Sequence, residues 1–254
     1  MTDKDGRVPV DTGTVRPDGP APVRPDTGGR AAVDAFLRQV KAMAPAAGAA
    51  PGQRGRLMFA MDATASRQPS WDRAMQIQAE MFSAAAGLGG LEVQLVFYRG
   101  FRECKSSPWV VNAPELLRRM TAVTCLGGQT QIGRILGHAL KETKACKVNA
   151  VVFVGDACEE APDPLCHTAG ELGLLGVPVF VFHEGGDPVA RRVFEQIAKL
   201  SGGAYCPFDA SSAQQLKDLL RAVAVYAAGG RAALRDYSKG QSEPVLMLTR
   251  QLGG

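Results

Sequence analysis

Oxygen-bearing side chains at particular positions are the residues of this chain most able to do chemistry. A carboxylate and two hydroxyls fall at every second position of one short stretch, and a third hydroxyl and a second carboxylate follow later: Asp62, Thr64, Ser66, Thr130 and Asp156. Carboxylate and hydroxyl oxygens are hard donors, which suit Mg²⁺ or Mn²⁺ and not a metal that prefers thiolates. The residue types therefore predict a site for a divalent cation, provided that the fold brings them together.

The segments that carry these residues alternate between apolar strands and amphipathic helices. Apolar runs predict strands over 56–61, 91–98, 101–111, 148–154, 177–182 and 203–208. Helical spacing of apolar residues predicts helices over 69–87, 114–121, 131–144, 163–175, 188–200 and 211–228. Buried strands alternating with helices are typical of a parallel sheet covered on both faces. We therefore expect a doubly wound, mostly parallel, Rossmann-like α/β sheet with one antiparallel edge strand.

The carboxyl ends of the strands are where ligands bind in such a sheet. Asp62, Thr64 and Ser66 run out of the first strand, Thr130 precedes the 131–144 helix, and Asp156 follows the 148–154 strand. All three segments should converge at one edge. Because Mg²⁺ keeps several of its waters, a site that the protein fills only in part is natural there.

On these residues the chain resembles the von Willebrand factor A (vWA) domain family and its metal-ion-dependent adhesion site (MIDAS). The resemblance covers residues 56–228 and rests on Asp62-x-Thr64-x-Ser66, Thr130 and Asp156. It implies that Thr64 and Ser66 bind the metal through their hydroxyls, and that Thr130 binds directly or through water. It also implies that Asp62 and Asp156 mostly hold coordinating waters. A carboxylate from a partner protein would complete the shell, and the domain would catalyse nothing.

The chain departs from the family pattern at two places. Thr64 stands where the family usually has serine, which keeps the hydroxyl and adds a methyl group. Gly155 and Ala157 flank Asp156, where the family often has threonine and glycine. Neither departure removes a proposed ligand oxygen. Some intracellular members of the family work beside ATPases or in stress-response clusters, which the resemblance offers as an expectation for the partner.

Two other functions compete with metal-dependent protein binding. A phosphatase of the haloacid dehalogenase type also has an aspartate after its first strand, and Gly155-Asp156-Ala-Cys-Glu-Glu160 partly mimics its Gly-Asp-x-x-x-Asp stretch. The general acid expected two residues after the nucleophile would be Thr64, whose hydroxyl cannot do acid–base work near pH 7. The other alternative is a vWA scaffold without metal, whose rim is held by ordinary hydrogen bonds.

Composition limits the remaining choices. The 254 residues carry 29 basic and 25 acidic side chains, a formal charge of +4, without the clustered basic face of a nucleic-acid binder. No apolar run is long enough for a membrane span, and the start has no secretory pattern. The six cysteines show no CxxC pair, so we interpret them as reduced thiols of a cytoplasmic, bacterial-looking protein.

The two ends of the chain differ from the domain between them. Residues 1–55 are rich in proline and glycine, with Phe36 as their single aromatic, and we expect them to be largely disordered apart from a short helix near 33–43. That helix either packs on the domain or serves as a partner motif. The domain is predicted over 56–228, and 229–254 is expected to be a mostly polar tail in which Val245–Leu248 could add a strand.

Overall fold

A computed structural model describes residues 34–36, 38, 53–208 and 213–239 of the chain. The strands are β1 (Gly55–Asp62), β2 (Leu91–Arg99), β3 (Glu103–Ser106), β4 (Ala150–Gly155), β5 (Val179–Glu184) and β6 (Tyr205–Phe208). The helices are α1 (Gln68–Ile77), α2 (Ala79–Ala85), α3 (Ala113–Thr121), α4 (Ile132–Ala145), α5 (Pro162–Leu174), α6 (Pro188–Leu200) and α7 (Ala213–Lys239). Short 3-10 turns over Ala65–Arg67 and Ala86–Leu88 flank the first two helices.

The strands form one six-stranded sheet in the order β3-β2-β1-β4-β5-β6. Only β3, at one edge, runs antiparallel to its neighbour; the other neighbouring strands run parallel. The predicted fold class is therefore confirmed. The predicted strand over 101–111 is shorter, because regular pairing ends at Ser106 and only Val110 returns to bridge Val93. Pro108, between them, has no N–H to donate to the sheet.

Buried apolar residues lie on both faces of the sheet, as expected for a mostly parallel sheet covered by helices. Alternate residues of β1 point to opposite sides, so that Leu57, Phe59 and Met61 face one layer while Met58 and Ala60 face the other. Helices α1, α2, α3 and α7 cover the first face, and α4, α5 and α6 cover the second. Helices packed on both faces hold the strands in place. The loops at the carboxyl ends of the strands are positioned with them.

The short helix predicted near 33–43 is described only at residues 34–36 and 38, which are helical. Phe36 is buried, with its ring centroid 5.9 Å from that of Phe180 and 5.6 Å from that of Phe182, both in edge-on contact. These contacts place the described part of the helix on the domain. The expectations for residues 1–33, 37 and 39–52 lie outside the described residues.

The first arm of α7 ends close to its predicted end at Ala228, and a second helical arm that the sequence did not predict follows it to Lys239. At Gly230, where φ is 68° and ψ is −164°, the backbone leaves the helical conformation and turns back on itself. As a result Leu234 is buried, and the Tyr237 ring lies 5.8 Å from the guanidinium carbon of Arg221 on the first arm of α7. The suggested strand over Val245–Leu248 lies outside the described residues.

Two further findings concern the described part of the chain. None of its helices is both long enough and apolar enough to cross a membrane. All six cysteines are free thiols. The Cys158 thiol donates to the carbonyl oxygen of Glu160, and the Cys166 thiol donates to the amide oxygen of Gln196.

Candidate metal and partner-binding site

The chain order of the strands creates a crevice between β1 and β4. From β1 the chain moves outward to β2 and β3 on one side, then crosses back to β4, β5 and β6 on the other. The carboxyl ends of β1 and β4 are therefore the switch point, where ligands bind in open α/β sheets. Met61 is level with Val154 in the register, so the residues that follow each of them leave the sheet side by side.

Four of the five predicted ligands are connected by hydrogen bonds at this crevice. Oδ1 of Asp62 accepts from the Thr64 N–H at 2.7 Å, which turns the chain sharply at the end of β1. The hydroxyl oxygens of Thr64 and Ser66 are 3.5 Å apart. Ser66 Oγ donates to Asp156 Oδ2 at 3.1 Å and so joins the loop after β1 to the loop after β4.

These four side chains differ in how far they reach into solvent. Asp62 is buried, at 1% exposure, beneath the loop that it orders. Thr64 and Asp156 are half-buried, and Ser66 is exposed. The two hydroxyls and the Asp156 carboxylate are thus accessible to a ligand from outside, whereas Asp62 can act only from below.

Thr130, the fifth predicted ligand, belongs to a separate pair of hydrogen bonds. Its N–H donates to Glu159 Oε2 at 3.0 Å, and its Oγ1 accepts from the Glu159 N–H at 2.9 Å. Within the described ranges no hydrogen bond joins Thr130 to the other four residues. Because Glu159 lies only three positions beyond Asp156, this reciprocal pair still fastens the Thr130 loop to the loop after β4.

Glu160 has a structural partner of its own. Its carboxylate accepts hydrogen bonds from the N–H of Ile132 and, at 2.9 Å, from the N–H of Gly133. The first N–H groups of a helix have no partner within it, and the dipole of the helix favours a negative charge at that end. Glu160 therefore caps α4 from a distance, which is a different role from the phosphatase-type carboxylate that the Gly155–Glu160 stretch suggested.

Arg67 is the principal residue of this site that the sequence did not indicate. Its side chain is 2% exposed, and its Nη1 pairs with Glu184 and lies 3.8 Å from Asp156 Oδ2. Ser70 donates to the same Glu184 carboxylate. Nε and Nη2 of Arg67 are buried without a hydrogen-bond partner among the described residues. The only available signal was its position directly after Ser66, and nothing in the local pattern shows that it is buried.

Burial and neighbouring charges shift the pKa values of two groups at the crevice, Asp62 and Tyr98. Burial raises the pKa of Asp62 and the neighbouring Asp156 adds to this, while hydrogen bonds from Thr64 and the charge of Arg67 act in the opposite direction. Burial, followed by the Asp62 carboxylate, raises the pKa of Tyr98 well above its usual value. The Tyr98 hydroxyl is buried close to the Asp62 carboxylate.

His183, at the end of β5, is held as a structural residue. Its Nδ1 lies 2.8 Å from the Tyr205 hydroxyl and its Nε2 lies 3.3 Å from the carbonyl oxygen of Asp156. Burial lowers the pKa of His183, which favours the neutral ring. A neutral imidazole with both nitrogens engaged positions the backbone at Asp156 and is poorly placed to act as a base.

One wall of the crevice is built from the β2–β3 turn and the loop before α4. The Gln129 N–H donates to the Gly100 carbonyl at 3.1 Å, and a Cβ on Gly128 would lie 2.0 Å from that oxygen, so only glycine fits there. The Leu126 N–H donates to the carbonyl of Ala63, within the Asp62–Ser66 loop. At the top of this wall Phe101 is 73% exposed and Leu126 is 46% exposed.

The donor set fits a hard cation only if hydroxyls take part. In the described ranges, no three His, Cys, Asp or Glu side chains are grouped so that they alone could hold a metal ion. Thr64, Ser66 and Asp156 supply oxygens that are accessible from outside, whereas the Arg67 guanidinium beside Asp156 is a positive charge that opposes a cation. The oxygen donors alone are therefore the part of the crevice that is compatible with a hydrated, magnesium-like ion.

Comparison with known proteins identifies the fold. No protein-family model and no curated protein matches the sequence. Among solved structures, the von Willebrand factor type A protein from Catenulispora acidiphila superposes with a TM-score of 0.57 at 13% identity, over 69% of this chain and 43% of that one. The SpRpn10 VWA domain superposes with a TM-score of 0.52 at 14% identity, over 66% of this chain and 94% of that one.

A third solved structure is described with an occupied metal site. Proximal thread matrix protein 1 from the mussel byssus, with a zinc occupied MIDAS motif, superposes with a TM-score of 0.51 at 15% identity, over 71% of this chain and 47% of that one. The chain thus spans less than half the length of this protein and of the C. acidiphila protein. At such low identity the comparisons establish the fold alone, and that fold is vWA-like.

Proposed function

We propose that this vWA-like chain is a divalent-metal-dependent protein-binding module that performs no chemistry, working as an accessory subunit of an intracellular bacterial complex. The observation that carries the proposal is the contact between Ser66 Oγ and Asp156 Oδ2, 3.1 Å apart. It brings oxygen donors from two loops to the switch point, where such a sheet binds its ligand. The fold is one commonly used for protein–protein interaction, which agrees with this role.

Mg²⁺ or Mn²⁺ would be held by the residues of the crevice. Thr64 and Ser66 would bind through their hydroxyls, Thr130 directly or through water, and Asp62 and Asp156 would mostly hold coordinating waters. Thr130 Oγ1 accepts one hydrogen bond, from the Glu159 N–H, and a hydroxyl oxygen has a second lone pair to offer. The ion, when bound, would supply a positive charge that a partner's carboxylate can reach. The zinc described in the MIDAS of the mussel protein supports a divalent ion in this fold.

The partner would donate an acidic residue to the metal and rest on the wall beside it. Phe101 and Leu126 provide exposed apolar surface there, and Arg102, next to Phe101, is an exposed cation. A segment with an acidic residue beside a large apolar one would complement this combination of charge and apolar surface. An ATPase or stress-response complex is the class of assembly in which we place such a partner.

A metal-free scaffold is the second candidate, and one observation favours it. Arg67 already supplies a cation to Asp156 and Glu184. No comparable observation favours the phosphatase, because Thr64 occupies the place of its general acid and Glu160 caps α4.

The proposal is tested by capture of partners from the native cell with the full chain as bait, in Mg²⁺ and then in EDTA. We expect the full chain to capture proteins in Mg²⁺ that are released by EDTA. The same proteins should not be captured when the bait is the Asp62→Ala variant. Phe101→Ser should lose the same proteins while keeping the metal, and the exposed Leu174→Ser is a control on another part of the surface. Capture that is equal in EDTA would contradict metal dependence and favour the scaffold.

A further inference from the structure

Arg67 is an unusual neighbour for a cation site. The 3-10 turn over Ala65–Arg67 directs it inward from the loop that carries Thr64 and Ser66. The side chain extends from the turn after β1. Its guanidinium lies near Asp156, which follows β4, and pairs with Glu184 at the end of β5. Only 2% of the side chain is exposed, so water cannot screen its charge effectively.

The guanidinium is only partly satisfied by its partners. Glu184 accepts from Nη1 and also from the Ser70 hydroxyl. Asp156 Oδ2, 3.8 Å from Nη1, is shared with the Ser66 hydroxyl. Nε and Nη2 have no partner within the described ranges. Arginine stays protonated in proteins, so a fixed positive charge lies beside the oxygens proposed to hold the metal.

We infer that Arg67 sets the metal affinity of the site, as a built-in cation that shares Asp156 with the bound ion and repels it. This inference rests on the proposed function. Because the opposing charge cannot move into solvent, Mg²⁺ or Mn²⁺ binds more weakly than the oxygen donors alone would allow. Removal of Arg67 should therefore strengthen metal binding, which is the opposite of what damage to the site would do.

The size of the effect follows from electrostatics. Two positive unit charges 4 Å apart repel each other even at the dielectric constant of bulk water. The repulsion doubles when one of the two ions is divalent. It grows severalfold in less polar surroundings. We therefore expect Arg67→Gln to lower the Kd for Mn²⁺ by about tenfold or more.

The experiment is a titration of the full chain with Mn²⁺, in which the free ion is followed by electron paramagnetic resonance. The double variant Arg67→Gln/Glu184→Gln removes one positive and one negative charge, so its net charge equals that of the wild type and Glu184 is not left unpaired. It should also bind Mn²⁺ more tightly than the wild type. Arg67→Lys keeps the charge and should stay near the wild-type Kd. Arg118→Gln, an exposed arginine on α3, should leave the Kd unchanged.

Each outcome separates this inference from the proposed function. If the wild type binds Mn²⁺ and neither Arg67→Gln nor the double variant binds it more tightly, Arg67 does not set the affinity, and the proposed function stands. If the wild type fails to bind and either variant binds, Arg67 takes the place of the metal, which supports the inference and overturns metal dependence in the natural protein. If wild type and variants all fail to bind, both are overturned. Near-ultraviolet circular dichroism checks folding, and the double variant decides the question if Arg67→Gln unfolds.

Discussion

Ser66 and Asp156 lie 90 residues apart in the chain, yet the hydroxyl of one donates to the carboxylate of the other over 3.1 Å. The contact exists because β4 returns to the side of β1 opposite to β2. Together with the Arg67–Asp156 pair, it joins the loop after β1 to the loop after β4, and it places two ligand-type oxygens at the mouth of one crevice.

Metal should stabilise the folded chain, and Asp62→Ala should abolish the effect. An ion that binds only the folded state stabilises it by RT ln(1 + [L]/Kd), about 2.7 kcal/mol at a hundredfold excess over Kd, or a Tm rise of about 5–10 °C. Thermal unfolding in millimolar MgCl₂ and in EDTA measures it, and Ser66→Ala should reduce the shift. An equal response in Asp62→Ala would show that the site is assigned to the wrong residues.

The buried Asp62 carboxyl should make metal-free stability depend on pH. Its pKa is raised in the folded chain, so the stability that it contributes is complete below the unfolded pKa of about 3.9 and is lost as pH rises through the folded value. Asp62→Asn cannot ionise, and its amide oxygen can still accept from the Thr64 N–H. Urea unfolding in EDTA should show the variant gaining on the wild type between pH 4 and pH 7. If the difference in the free energy of unfolding between Asp62→Asn and the wild type stayed constant with pH, the raised pKa of Asp62 would be contradicted.

Glu160→Ala should destabilise the domain by about 0.5–2 kcal/mol, the range for loss of a helix cap. Two N–H groups at the start of α4 would lose their acceptor, at Ile132 and Gly133. Glu160→Gln keeps an acceptor oxygen without the charge and should cost less. Chemical denaturation of the three proteins measures the order, and an alanine variant as stable as the wild type would argue against the cap.

Phe36 should matter to stability although the residues before it do not. Phe36→Ala removes a ring packed on Phe180 and Phe182, and changes of this kind cost about 3–5 kcal/mol. Deletion of residues 1–30, which carry no hydrophobic pattern, should leave Tm nearly unchanged. Both are measured by thermal unfolding. If the deletion lowered Tm more than Phe36→Ala does, residues 1–30 would stabilise the domain, which is contrary to this prediction.

The sequence by itself determined the alternation of strands and helices and the location of the oxygen donors at strand ends. Both depend on periodicity and on residue type within a short window: the apolar run of β1 and the Asp62-x-Thr64-x-Ser66 stretch can each be recognised without knowledge of the rest of the chain. The sequence also predicted the end of the first arm of α7 near Ala228, but a mostly polar stretch gives no local sign that a second helical arm follows Gly230 and buries Leu234.

Only the tertiary structure decided which charges share the crevice. The partner of an ion pair is set by which strands become neighbours, and Ser70 and Arg67 meet Glu184 across more than one hundred residues of chain, 114 in the case of Ser70. The same holds for Glu159 at Thr130 and for Glu160 at the start of α4. A carboxylate or guanidinium in a sequence can point to solvent or be buried. Burial is a property of the assembled layers, and here it turns Arg67 into a fixed cation beside the predicted ligands.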